Sequence, residues 1–512
     1  QTISSGAGVF TYSYLANSSL LSGVTRGNYA QSRSYEAHRN VMTNISTATQ
    51  AGTLAAYTYE SDELGRRKSV DQAGLIYDPY TLGTQILRTV YGYDNRNEVT
   101  SAITTVGGTV LPGRSFGYAF DPIGNRTQDS LDGNASTYTP NALNQYAARA
   151  TPGYLPVTGT ANRTGGASLT IDGNTVSNWT NNYFYFGMSK NGATSAYGQA
   201  INFSATSGAA TQADSTWTMV RPVNEEFAYD DDGNLTSDSL WVYRYDAENR
   251  LIEMRARVGK PNQQPIAVRF AHDYMGRRIS KEVYAYVGSP EAPTGYDLQS
   301  KTYFAYQGWT LLAEYDQNLA MTRRYTFGID LSGSLGGAGD IGGLLAIEDK
   351  RTPSGSYTLP PNTYLACFDG NGNLMGLADG SSGALVAAYE YDPFGNVLRA
   401  TGLYGKENPF RFAGKYFDSE TGLSYYVFRY YYASIGRFVN RDPLEERGGW
   451  NLYSGLRFGA SDPFAGSSGV EGTSSSTEWE QAQDRLISNA SLPHTTQTIS
   501  FSSKRSSALP GA

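Results

Sequence analysis

Pairs of aromatic residues, each followed by a short polar turn, recur along this sequence. In each copy, two aromatic residues are separated by one other residue. They are followed by Asp, two variable residues, Gly or Asn, and then usually Asn or Arg. Looser copies begin at Asp62, Asp273 and Asp369. The clear copies are Tyr91-Gly-Tyr93-Asp94, Tyr118-Ala-Phe120-Asp121, Phe227-Ala-Tyr229-Asp230, Tyr243-Arg-Tyr245-Asp246 and Tyr389-Glu-Tyr391-Asp392. Alternating rings are typical of strands, so each copy predicts a strand that ends in a tight turn.

The chemistry of each position in this repeat favours a hairpin. Side chains at i and i+2 share one face of a strand, the Asp carboxylate caps the turn, and Gly or Asn tolerates a positive φ. A single hairpin cannot bury its ring face, whereas stacked hairpins can. The sequence therefore predicts a mostly β protein whose repeats form a spiralling sheet. The predicted turn formers are Asp62, Asp94, Asp121, Asp230, Asp246, Asp273, Asp369 and Asp392.

The segment from Pro409 to Pro443, called the core segment below, carries eleven aromatic rings and no long aliphatic run. We interpret Tyr425 to Tyr432 as one strand of rings interrupted by Arg429. So much ring surface left in water would promote aggregation, so both faces must be buried by a surrounding wall. The residues predicted to form this buried plug are Phe410, Phe412, Tyr425, Tyr426, Tyr430, Tyr431 and Phe438.

The core segment closely resembles the RHS repeat-associated core domain, and the preceding chain resembles the tyrosine-aspartate (YD) repeats that accompany it. The resemblance covers roughly Tyr57 to Asn451. It implies a spiral β-sheet shell, cocoon-like or barrel-like, that the RHS core closes as a plug. The wider family includes C-components of bacterial toxin complexes, RHS effectors of secretion systems and the shells of teneurin-type surface proteins.

Changes of pattern along the chain predict five parts. They are residues 1–150, the first part of the repeat shell; 151–221, a Thr/Asn/Ser-rich inserted β module or degenerate repeats; 222–402, the second part of the shell; 403–464, the core; and 465–512, a variable tail. In the tail, Thr477 and Glu480 have the spacing of a capping box, which predicts a short helix. The rest of the tail, from Ser488, is predicted to be disordered.

Composition and charge narrow the possible chemistry. The net charge of -7 gives no electrostatic reason to bind nucleic acid or an anionic membrane. Cys367 is the only cysteine, and His38, His272 and His494 are the only histidines and lie far apart, which argues against a histidine metal site and a Ser/His dyad. We therefore expect no metal and no cofactor. The most apolar long stretch is too short and too polar to span a bilayer, so no transmembrane segment is predicted.

The candidate catalytic residues are Arg441, Asp442 and Asp462. Two carboxylates held together share a proton, and the ionised one can activate water. In some RHS-core proteins two Asp-Pro-x-Gly motifs, with an Arg before the first, cut the chain behind the core and release a C-terminal toxin. Arg441-Asp442-Pro443 matches the start of the first motif, whereas Asp462-Pro463 departs from the second in its spacing. Two roles for these aspartates therefore remain open. They either take part in self-cleavage or only cap a turn, because Asp-Pro commonly opens a turn.

The resemblance implies an encapsulating β-shell scaffold of a secreted or surface-delivered RHS polymorphic toxin, with its own C-terminal segment as cargo. Upstream shell or secretion components are further expected partners, although no basic and apolar leader follows Gln1 and so no signal peptide is predicted. One alternative is a cell-surface adhesion module that binds a glycan or a protein, for which Trp179, Tyr183 and Tyr185 are candidates. A second alternative is an aspartyl protease that cleaves its own chain.

Overall fold

The computed structural model describes residues 1–454, apart from residues 164–165, 191, 208–209, 356 and 448. These residues are almost entirely strands and turns, so the predicted mostly β class is confirmed. Asp462 and the predicted tail helix lie outside the described residues. None of the helices in the described part of the chain has the length and hydrophobicity of a membrane-spanning segment.

The first large sheet has fourteen antiparallel strands, and its first thirteen follow chain order. A four-residue helix, Asp78–Thr81, lies between the seventh and eighth strands. The thirteen strands are β1 (Thr2–Ser5), β2 (Gly8–Tyr14), β3 (Leu21–Arg26), β4 (Tyr29–Tyr35), β5 (Met42–Thr49), β6 (Gly52–Ser61), β7 (Arg67–Ala73), β8 (Leu87–Tyr93), β9 (Val99–Val106), β10 (Thr109–Phe120), β11 (Arg126–Leu131), β12 (Asn134–Pro140) and β13 (Tyr146–Ala150).

The next seven strands leave the order of this sheet. They are β14 (Tyr154–Thr160), β15 (Ser168–Ile171), β16 (Asn174–Thr175), β17 (Asn178–Thr180), β18 (Tyr183–Ser189), β19 (Tyr197–Ser207) and β20 (Ala210–Val220). They form two small sheets around a small apolar core of their own, which includes Ile171 and Phe184. The large sheet then resumes, because β21 (Asn224–Glu226) pairs directly with β13.

The second large sheet also has fourteen antiparallel strands, all in chain order. They are β22 (Ala228–Tyr229), β23 (Leu235–Ser237), β24 (Trp241–Tyr245), β25 (Leu251–Ala256), β26 (Ile266–His272), β27 (Arg278–Gly288), β28 (Pro293–Gln307), β29 (Thr310–Tyr315), β30 (Met321–Phe327), β31 (Leu344–Asp349), β32 (Asn362–Phe368), β33 (Leu374–Asp379), β34 (Leu385–Tyr391) and β35 (Val397–Thr401). Within the described residues, the first and last strands of each large sheet do not pair with each other.

The core segment forms a small sheet of β36 (Tyr416–Asp418), β37 (Leu423–Tyr425), β38 (Tyr430–Tyr432) and β39 (Arg437–Phe438). Short 3-10 helices precede these strands at Phe412–Gly414, connect two of them at Ala433–Ile435 and follow them at Glu445–Arg447. The prediction of one strand from Tyr425 to Tyr432 was wrong. The chain turns between β37 and β38, where the Tyr426 N–H donates to the Arg429 carbonyl at 2.9 Å, and this turn lets rings of both strands pack together.

Two large apolar clusters hold the molecule together. One joins the second sheet to the core segment, and includes Trp241 and Tyr430. The other lies between the early strands of the first sheet and strands β31 to β34 of the second, and includes Phe10 and Cys367. The two large sheets therefore face each other over part of their area. Polar contacts cross this interface, for example from the Tyr29 hydroxyl to the Ala366 carbonyl at 2.7 Å.

Candidate functional site at the core segment

The repeat turns share one hydrogen-bonding pattern. In the turn at Asp392, Oδ1 accepts the N–H groups of Phe394 at 2.8 Å and Asn396 at 2.9 Å, while Oδ2 accepts the Asn396 side-chain amide at 2.7 Å. Gly395, three residues after the Asp, has a φ of 90°. In every one of the eight predicted turns the carboxylate accepts the N–H four residues on. These carboxylates are thus occupied by their own turns.

Two further turns of the same kind were missed from the sequence. In them, Asn141 accepts the N–H of Gln145 at 3.0 Å and Asp316 accepts the N–H of Ala320 at 2.9 Å. Asn replaces Asp in the first, and Leu319 stands where the second should carry Gly or Asn. The signal that could have found them is the pair of strands on either side.

The core segment is buried on both faces. The seven side chains predicted to form the plug are between 1% and 7% exposed. Phe410, Tyr425 and Tyr430 belong to the cluster shared with the second sheet. Phe412, Tyr426, Tyr431 and Phe438 form a separate cluster with Ile341. The small sheet is therefore packed as an interior layer.

On its first face, the core segment surrounds a buried arginine of the second sheet. The Arg278 guanidinium carbon lies 4.6 to 4.8 Å from the ring centres of Phe304, Tyr416 and Tyr425. Its Nη1 contacts Asp418 at 2.5 Å, and both side chains are almost fully buried. Such a pair fixes the position of the core segment, because either charge left alone would be strongly disfavoured.

Lys281 completes this charged cluster. Its amine lies 3.0 Å from Asp418 and 3.0 Å from Glu420. Burial alone would raise the pKa of Asp418, but the positive charges of Arg278 and Lys281 outweigh burial and lower the pKa. Asp418 is therefore an ionised anchor, and sequence reasoning missed it because its partners lie far away in the chain.

The far end of the core segment contacts the turns of the first sheet. The Arg437 guanidinium carbon lies 3.4 Å from the Tyr146 ring centre, and its nitrogens donate to the Asn144 carbonyl at 2.7 Å and to Asn125 Oδ1 at 3.1 Å. Arg149 donates to the Ser434 carbonyl at 2.9 Å. These contacts place β39 against the end of the first sheet.

The same end also contacts the start of the second sheet. The N–H of Leu235 donates to the Val439 carbonyl at 2.9 Å. The Tyr453 hydroxyl, on a residue only 1% exposed, donates to the Gly233 carbonyl at 2.7 Å and accepts from the Gln145 amide at 3.1 Å. Residues 437–454 therefore bridge the two large sheets at the row of turns.

Asp442 lies in this bridge, in a turn of its own. Its carboxylate pairs with Arg429 at 2.9 Å and accepts the Leu444 N–H at 2.9 Å. Burial lowers the pKa of Arg429, and the Asp442 charge partly offsets this. Arg441 packs closely against Gly233. A Cβ added to this glycine would lie 2.5 Å from Arg441 Cδ. The structure thus surrounds Asp442 with a turn and an arginine.

The other candidate sites are placed differently. Tyr183 is 1% exposed, and the Trp179 indole packs on Phe184 and donates to the Val176 carbonyl at 2.9 Å. Tyr183 therefore cannot take part in an outward patch for a carbohydrate. In the described part of the chain, no group of three or more His, Cys, Asp and Glu side chains is arranged to hold a metal ion.

Comparison with known proteins adds to this picture. No family model matches the chain. It is 32% identical over 244 residues to the tRNA3(Ser)-specific nuclease WapA of Bacillus spizizenii, covering 47% of this chain and 9% of that protein. It is 29% identical over 236 residues to the double-stranded DNA deaminase toxin A of Burkholderia cenocepacia, covering 44% of this chain and 16% of that protein. Such relatives, together with the repeated turns and the buried core segment, point to one family. The findings support an RHS-repeat protein.

A solved structure and the lengths of the relatives give two further comparisons. The solved TcdB2-TccC3-Cdc42 structure aligns over 90% of this chain and 22% of its own, at 14% identity and a TM-score of 0.37. The chain spans about a tenth of the length of the WapA proteins that it matches. The activities that those names give belong to those proteins.

Proposed function

We propose that this RHS-repeat chain is part of the β-wall of a secreted or surface-delivered toxin, and that the wall encloses the C-terminal segment that follows the core segment. The core segment acts as the plug that closes this wall. The toxic activity would belong to the enclosed segment of the complete protein, and the repeats would act as a scaffold.

The observation that carries this proposal is the bridge at residues 437–454. Tyr453, near the end of the described chain, is bonded to turns of both large sheets. The segment that follows Tyr453 therefore starts from a point of the wall that buried contacts fix in place. The relatives named as a nuclease and as a deaminase toxin support a toxic cargo.

Cysteine labelling of the complete polypeptide that contains this chain tests the enclosure. Cys367 is 0% exposed, so the native thiol contributes little signal. We expect maleimide to label Ser475→Cys and Ser500→Cys at least about 100-fold more slowly than Leu143→Cys, whose position is 69% exposed. All three should react equally fast in denaturant. Equal rates without denaturant would show that the C-terminal segment is not enclosed.

Self-cleavage is the second candidate, because Asp442 lies in the bridge where a cut would free the segment behind it. Arg429 would hold the Asp442 carboxylate in place, and Asp462 would be the second carboxylate. Intact mass of the expressed chain tests this function. A product cut behind the core that disappears in Asp442→Asn supports it, and a single full-length species in both proteins removes it.

A further inference from the structure

A cavity of about 130 Å³ lies between the two large sheets, away from the core-segment bridge. Strands β6 to β10 form one wall, and the chain from the end of β32 to β35 forms the other. A water molecule takes about 30 Å³ of liquid, so this space holds about four waters or one small polar molecule. Aromatic rings, amides, hydroxyls and charged groups all line it.

The charged group that stands out in this cavity is Arg67. It is 5% exposed and its guanidinium carbon lies 3.9 Å from the ring centre of Tyr59. Its Nη1 donates to Asn371 Oδ1. Among the described residues, Arg67 forms no ion pair and no side-chain hydrogen bond besides the one to Asn371, although its charge acts on the Asp369 carboxylate through space. A buried arginine without a close counter-charge is costly unless something else supplies one.

The neighbouring polar groups also offer donors. Within the described chain, the Tyr91 hydroxyl and the Asn371 side-chain N–H groups have no acceptor. Gln72 donates to Thr89, which is bonded in turn to Thr104 at 2.9 Å, so these side chains are largely satisfied by each other. Donors with free N–H or O–H groups therefore outnumber free acceptors, and a fitting ligand must supply acceptor oxygens.

The carboxylates in the walls limit the charge of such a ligand. Asp369 and Asp392 each accept three hydrogen bonds from their own turns. Glu390 is paired with Arg114 at 3.2 Å and with Arg399. These acids cannot neutralise Arg67 at close range, but their negative potential opposes ligands of high charge.

We propose that this cavity binds a small, singly charged oxyanion, such as a monocarboxylate, through the Arg67 guanidinium. The planar fork of Arg67 contacts the two oxygens, while Tyr91 and Asn371 donate to the oxygens from the side. Tyr59 holds the guanidinium in place from behind. The site is independent of the proposed toxin function.

Calorimetric titration of the complete chain with acetate, against chloride at equal ionic strength, tests this site. We expect saturable acetate binding that chloride does not reproduce, and weaker binding of sulfate, whose second charge Asp369 and Asp392 repel. Arg67→Gln should weaken acetate binding at least about tenfold, and Tyr91→Phe about threefold to fivefold. Arg88→Gln, on the neighbouring strand but paired with Glu60, is the matched control and should bind as wild type.

Two results would contradict an anion site at Arg67. Acetate heats that match those of chloride, or Arg67→Gln binding acetate like wild type, would mean that the cavity holds water only. If Arg67→Gln fails to fold, Arg67→Lys replaces it, because lysine keeps the charge and loses the fork. Acetate binding at least about threefold weaker in Arg67→Lys supports the site, and unchanged binding overturns it.

Discussion

Leu319 shows at the scale of one residue how strongly the repeat turn constrains the chain. It has a φ of 61°, a left-handed conformation that L-residues with a side chain disfavour, at the position where other turns carry Gly or Asn. Its side chain is 67% exposed, so little packing compensates. We expect Leu319→Gly to raise the free energy of unfolding by about 0.5–1 kcal/mol, measured by chemical denaturation.

Leu64 is the matched control for this substitution. It lies in the turn at Asp62, is 65% exposed and does not have a positive φ. Leu64→Gly should therefore lower stability by up to about 1 kcal/mol, because glycine only adds freedom to the unfolded chain. Stabilisation by both substitutions, or by neither, would contradict the strain at Leu319.

His272 gives the fold a dependence on pH. Burial, with the charges of Arg278 and Arg250, lowers its pKa to about 4, and its Nδ1 has no hydrogen-bond partner among the described residues. The unfolded chain binds a proton near pH 6.5 whereas the folded chain does not. Stability should therefore fall by at most about 3 kcal/mol as the pH drops from 6.5 to 4.

Denaturation of His272→Gln across this pH range measures that contribution. The variant should lose stability less steeply between pH 6.5 and 4 than the wild type. His38→Gln, at an exposed position, should follow the wild-type curve. Parallel curves for all three proteins would show that His272 takes up its proton equally well in the folded chain.

The residue scale is also where sequence reasoning went furthest. The Asp carboxylate and the following Gly or Asn act within five residues, so their chemistry can be deduced from the chain alone. Asn141 and Asp316 were missed because each departs from the pattern at one position. The tolerance of the turn for Leu319 comes from the flanking strands, which the local pattern does not describe.

At the scale of elements, side chains link one turn to the next along the sheet edge. Asn125 donates to Asn144 at 2.9 Å, and Asn234 donates to Asp230 at 3.0 Å and to Asn249 at 2.8 Å. In these two repeats the Asn that ends the turn therefore joins neighbouring hairpins as well as its own turn. The sequence pattern contained this residue, but its link to the next turn depends on strand order.

Asn234 tests this link. Its side chain is 2% exposed, so Asn234→Ala leaves Asp230 and Asn249 without a buried donor. We expect a loss of about 1–3 kcal/mol in the free energy of unfolding. Asn28→Ala, at an exposed position where the amide donates to Gln50, should change stability by less than about 0.5 kcal/mol. Equal effects of the two substitutions would contradict a stabilising link between neighbouring turns.

At the scale of the whole molecule, the sequence indicated a wall around a ring-rich interior but not how the parts meet. The partners Arg278 and Asp418 are 140 residues apart, and Arg437 reaches Asn125 across 312 residues. Periodicity describes one strand and its turn, whereas these contacts depend on how two fourteen-stranded sheets face each other. The core segment joins them because it supplies buried charges and rings to both.

Asp418→Asn tests this joining role. The substitution leaves Arg278 and Lys281 buried with less counter-charge, and we expect a loss of about 3–5 kcal/mol in stability. Because the fold lowers the pKa of Asp418, the wild-type contribution is present at neutral pH and is lost as the pH falls below the ordinary Asp value. Glu420→Gln, which keeps Asp418, should cost much less. A neutral effect of Asp418→Asn in denaturation would contradict the anchor.

Hydrogen exchange of the core segment, followed by mass spectrometry on the complete chain, tests the central claim most directly. If the core segment is an interior layer between the two sheets, peptides covering β36 to β39 will exchange as slowly as those of the buried strand β33. The largely exposed strand β20 supplies the fast reference. Core-segment peptides that exchange as fast as β20 would contradict the claim that this segment is a buried plug between the two sheets.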